Sequence, residues 1–238
     1  MPVTQLTAKY TRALDYARVL HASDIRKGTE IPYLAHVIAV SSIVLENGGS
    51  EDEAIAALLH DAGEDHGGHA RIEAIRAEFG DIVAGIVEAC SDDLPADRAV
   101  KRPWLERKTE YIHRLGHEPE AMVLVSAADK LHNARASLTD HRHLGAKLWD
   151  KFNKDAGRSG TLWYYRRLAA VIDTRLRHKA PMLVDELHAT VQAIIVSVVE
   201  HEGVSAAEVG AEIGQVERRS REMSEVGGPT IRNDPSSH

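Results

Sequence analysis

Along nearly the whole chain, apolar residues return at the three-and-four spacing of a helix, and no segment sustains the two-residue alternation of a half-buried strand. Leu34, Val37, Ile38, Ser41, Val44 and Leu45 trace one such face, closed by Asn47-Gly48-Gly49. Ser50 with Glu53 then forms a capping-box signature for a helix whose apolar face is Ala54, Ile55, Leu58 and Leu59. The same period predicts helices over 4–22, 69–79, 81–90, 104–115, 161–178 and 181–201. Residues 119–138 begin like a buried strand, but their length and alanine content predict a buried helix. The stretch 91–103, with Asp92, Asp93, Pro95 and Pro103, reads as a loop, and Gly157 and Gly160 bracket another. The expected fold is therefore an all-α helical bundle. Its main domain covers 1–180, C-terminal helices over 181–219 pack on it, and 220–238 form a disordered tail.

Composition narrows the function classes. One cysteine, Cys90, allows neither an internal disulfide nor a thiolate metal site, which fits a reducing compartment. No apolar leader and no run approaching a membrane span stand out, so the chain is read as cytosolic. A net charge of −7 argues against a general nucleic-acid binder. It leaves room for a small anionic substrate, because a local basic cluster can oppose the total. The apolar stripe at 184–198 serves either internal packing or a homodimer.

The polar residues inside apolar segments carry the chemistry. His60-Asp61 ends an apolar helix, and His36 lies 24 positions earlier, a spacing that suits a helix, a turn and an antiparallel return. Asp129 interrupts the most apolar part of the chain. A buried unpaired carboxylate costs several kcal/mol, so it needs either a salt bridge, to Lys130 or Arg135, or a metal ion. Two imidazoles and two carboxylates suit a borderline divalent ion such as manganese, iron or zinc.

Three runs carry a family resemblance. Arg26-Lys27-Gly28-Thr29-Glu30-Ile31-Pro32-Tyr33-Leu34-Ala35-His36 resembles the opening motif of the hydrolase domain of RelA/SpoT-type alarmone enzymes, members of the HD superfamily. Ala57-Leu58-Leu59-His60-Asp61-Ala62-Gly63-Glu64-Asp65 is similar to that domain's His-Asp motif with its trailing acids. Ala128-Asp129-Lys130-Leu131-His132-Asn133-Ala134-Arg135 is similar to its third motif, and the match covers roughly 5–175. The resemblance implies an HD-domain helical bundle in which His36, His60, Asp61 and Asp129 hold one Mn²⁺ that acidifies water. It makes Glu64 and Asp65 the catalytic acids and places Arg26 and Lys27 in a guanine pocket. Asn133 falls on the ribose, Arg135 on the third motif, a phosphate or equally a structural salt bridge, and Arg107 and Lys108 on the distal phosphates. Tyr33 is assigned to the core.

The implied reaction removes the 3′-diphosphate of guanosine tetra- or pentaphosphate, with too little chain past 175 for a synthetase domain. The sequence departs from the family pattern at Ala62-Gly63, at Lys130 and through 140–165. These departures keep other nucleotide substrates open, such as an adenine alarmone, NADPH or another nucleoside phosphate. An inactive alarmone sensor would lack a ligand or an acid, and none is lacking.

Overall fold

The computed structural model describes residues 3–91 and 102–226. The chain forms α1 (Ala8–Leu20), α2 (Tyr33–Glu46), α3 (Glu51–Leu59), α4 (Ala62–Asp65), α5 (Gly68–Phe79) and α6 (Asp81–Cys90). After the undescribed stretch come α7 (Trp104–Leu115), α8 (Glu120–Leu144), a 3₁₀ segment (Gly145–Lys151), α9 (Gly157–Leu176), α10 (Pro181–Glu202) and α11 (Ala206–Val226). Among the described residues there is no strand, only one isolated bridge between Ile25 and Pro32.

Local chemistry sets the helix ends. The Ser50 side chain accepts from the Glu53 amide while the Glu53 carboxylate accepts from the Ser50 amide, so two orphan donors of α3 are satisfied reciprocally. Packing decides the rest. The 25-residue α8 runs through the middle, against α2, α3, α6, α9 and α10, and buries Val123, Leu124, Val125, Ala127, Ala128 and Leu131. It is the buried helix that the length and alanine content of 119–138 predicted. Leu124 has no exposed surface. Leu124→Ala is expected to cost about 2–5 kcal/mol, read from the urea midpoint at unchanged slope.

Three expectations are corrected. Gly160 lies inside α9 rather than at a loop edge, because a Cβ there would come within 3.2 Å of the Trp104 ring. The glycine admits the indole instead of breaking the helix. α11 runs on to Val226, past the tail boundary set at 220, and Ser220 is buried with its hydroxyl 2.9 Å from that of Thr109. The rest of that tail, 227–238, and 92–101 of the expected loop lie outside the described residues. Finally, α10 is long and apolar enough by composition to cross a membrane. In the fold it packs Leu183, Val184, Leu187, Val191, Ile194 and Val198 into the core beside α8 and α9.

Candidate metal centre and active site

His36 stands near the start of α2, His60 caps the end of α3, Asp61 caps the start of α4, and Asp129 is buried midway along α8. Folding α3 back on α2 and across α8 brings the four together. His36, His60 and Asp129 each offer one donor atom within 4.8 Å of the others. His36 Nε2 is 3.2 Å and His60 Nε2 3.5 Å from Asp129 Oδ1. Asp61 Oδ2 lies 2.9 Å from His60 Nε2 and 3.8 Å from His36 Nε2. These are the four residues that the motifs pointed to.

The hydrogen bonding leaves room for a cation. His60 Nδ1 is 2.9 Å from the Ala57 carbonyl oxygen, which can only accept, so Nδ1 carries a proton. His36 also turns Nδ1 away from the centre, to His132 Nδ1 at 2.8 Å. Both Nε2 atoms are buried and meet no hydrogen bond. Buried polar atoms seldom go unsatisfied, and these two point where a divalent ion of borderline softness would take two nitrogens and two carboxylates.

Charge is tightly balanced around the cluster. Burial works against charge on His60, but Asp61 and Asp129 outweigh it and hold the imidazole well above its usual value. Burial lowers His36, keeping it neutral and ready to ligate. Burial would raise Asp129, yet Lys130, His36 and His60 hold it well below the carboxylate range. Because cation entry must displace the His60 proton, loading should release a proton and strengthen with pH, by about tenfold per unit. Calorimetry in buffers of different ionisation enthalpy checks this.

The surrounding residues fall into distinct places. Lys130 Nζ donates to Asp129 Oδ2 at 2.5 Å, and Asn133 Nδ2 to Asp129 Oδ1 at 2.6 Å. Arg26 donates to Asn133 Oδ1 at 2.7 Å, so the basic turn is wired through Asn133 to Asp129. Arg135 instead pairs with Glu186 at 2.6 Å. Tyr33 is corrected from core to site: its hydroxyl donates to Asp61 and its ring lies 5.3 Å from that of His36. The first residue of α2 is held too near the ligands to be filler.

A cavity of about 870 Å³ opens beside the cluster. Arg26, Lys27, Lys108, Lys130, Lys151 and Arg135, the last paired with Glu186, line it with positive charge, and Trp104, Phe152, Tyr164 and Tyr165 give aromatic surface. Arg107 is corrected: it is buried, donates to the Arg102 carbonyl and does not line the cavity, whereas Lys108, one position on, lies 5.0 Å over the Tyr164 ring. Adjacent residues on a helix point about 100° apart, so only one of the pair can face inward. Sequence reasoning missed Lys151 and Phe152, whose segment had no helical period. It also gave no role to His132, although a histidine three positions after a buried aspartate on a helix shares its face.

Glu64 and Asp65 share the single turn of α4 with Asp61 as its cap. The Asp65 carboxyl is raised, first by loss of hydration and then by Asp61; His66 and His21 pull the other way.

This helical fold and its His/His-Asp/Asp cluster define an HD-type centre, and the comparisons agree. The HD domain family matches residues 13–162, and the chain belongs to that family. Relatives include the guanosine-3′,5′-bis(diphosphate) 3′-pyrophosphohydrolases MESH1 of Drosophila melanogaster, 36% identical over 56% of this chain and 71% of that one, and of Mus musculus, 34% identical over 54% and 69%. A probable GTP pyrophosphokinase of Mycobacterium leprae is 36% identical over 52% of this chain, which spans only 15% of that longer protein. Among solved structures, a metazoan SpoT ortholog described as hydrolysing ppGpp superimposes with a TM-score of 0.61 at 26% identity, covering 79% of this chain and 97% of that one.

Proposed function

We propose that the protein is a divalent-metal-dependent 3′-pyrophosphohydrolase of guanosine tetra- and pentaphosphate, with Mn²⁺ as the working ion. The observation that carries this reading is the four-residue cluster of candidate ligands opening onto a cavity lined by six basic side chains. A substrate with two diphosphate groups needs that much positive charge, and the aromatic surface suits a purine. The MESH1 relatives, named for this reaction, support the choice of nucleotide.

When bound, the ion supplies Lewis acidity toward a phosphoryl oxygen and toward water. The chain's own residues do the remaining work. Lys108 and Lys130 line the cavity as cations for the diphosphate, while Arg26 and Lys27 line it from the opening motif for the base. Asn133, held between Arg26 and Asp129, fixes the nucleoside relative to the metal carboxylate. Hydrolysis adds water across the bond between phosphorus and the ribose 3′ oxygen: the water oxygen joins phosphorus, one proton leaves and the 3′ oxygen takes one up. Asp65, whose carboxyl is raised by loss of hydration and by Asp61, is the candidate to receive the proton, and Glu64 shares its turn.

The test supplies Mn²⁺ to metal-stripped protein with guanosine tetraphosphate, and with NADPH in parallel. Manganese-dependent release of GDP and pyrophosphate is expected. Metal binding without turnover of guanosine tetraphosphate would overturn the substrate, and phosphate release from NADPH would replace it.

A further inference from the structure

A second convergence of metal-binding side chains stands on the other side of Tyr33. His21 caps the end of α1, Asp24 lies in the turn that follows, and His66 caps the end of α4. One carboxylate oxygen, Asp24 Oδ2, is 2.9 Å from His21 Nδ1 and 2.6 Å from His66 Nε2. The three donors lie within 4.8 Å of one another, a spread like that of the first centre. The Tyr33 ring lies between the two, 5.0 Å from His21 and 5.3 Å from His36.

We propose that His21, Asp24 and His66 form a second divalent-cation site, of zinc type, distinct from the His36/His60/Asp61/Asp129 centre. Two imidazoles and a carboxylate are a zinc donor set, and three protein ligands leave a fourth position for water. Access fits that count: the side chains of Asp24 and His66 are 31% and 25% exposed, while that of His21 is fully buried. The ligands are also held. The His21 ring is packed against Tyr33 and His66, and Arg71 Nε donates to the His66 carbonyl at 2.9 Å. His21 Nε2 is buried with no hydrogen bond, so Asp24 alone engages that imidazole. The ion would lie beside Asp65, whose carboxyl senses all three residues. This inference stands apart from the choice of substrate.

The test is equilibrium dialysis of metal-stripped full chain against Zn²⁺ alone. Two equivalents are expected for the unaltered protein, one each for Asp24→Asn, His66→Gln and the double variant His60→Gln/Asp61→Asn, which leaves the first centre one imidazole and one carboxylate, and none when His66→Gln is added to that double variant. A single equivalent in the unaltered protein, or two retained by His66→Gln, would overturn the proposal. Should the Asp24 or His66 variants lose helicity, the His60→Gln/Asp61→Asn protein decides, since its second site is intact. One Co²⁺ with tetrahedral visible absorption supports the site, and none overturns it.

Discussion

Asp61→Asn is expected to lower kcat/KM for guanosine tetraphosphate by about 10³-fold or more and to strip the first centre of its ion. Lewis-acid stabilisation contributes several kcal/mol to a phosphoryl transition state, and each 1.36 kcal/mol is about tenfold in rate. The substitution keeps the shape of the side chain and removes its charge. Asp61 is the carboxylate nearest His60 Nε2, at 2.9 Å, and the acceptor of the Tyr33 hydroxyl. Its loss leaves Asp129 to hold both histidines, and Asp129 already receives Lys130 and Asn133. Metal analysis and steady-state kinetics on the same preparation check this. Full activity with a full complement of manganese would move the metal centre elsewhere.

The second large effect separates proton handling from metal binding. Asp65→Asn is expected to reduce kcat by about 10²–10⁴-fold while the first centre keeps its ion. The pH profile gives the sign. A general base must be unprotonated, so activity falls as pH drops through the Asp65 carboxyl. That carboxyl is raised by loss of hydration and by Asp61, so the acidic limb should sit above the ordinary aspartate range. The Asn variant should lose that limb. If the limb persists unchanged, Glu64 is the base, and Glu64→Gln should carry the loss instead.

Legibility differed from one part of the protein to another. The capping box at Ser50 and Glu53 was readable because capping is a contact between near neighbours. A matching signal, Ser205 with Glu208, was in the sequence and marks the start of α11, where both reciprocal bonds form. Periodicity does not draw the helix that follows, because its few apolar residues are scattered among charged ones and packing against α7 and α9 holds it. Gly160 misled because a glycine reads as a breaker until the Trp104 ring is seen occupying its missing Cβ.

The four residues that cluster as candidate metal ligands were legible in the sequence. Buried imidazole and carboxylate groups in apolar helices need compensation wherever they occur, and three motifs in order name the kind. Only the tertiary structure decided that Tyr33 binds Asp61, that Lys108 rather than Arg107 faces the cavity, and that Lys151 closes its wall. It alone brought Asp24 to His66, 42 positions apart. Periodicity records which face of a helix is buried, but not which side chain from a distant segment comes to meet it. That depends on how helices cross, and the crossing is set by the whole core.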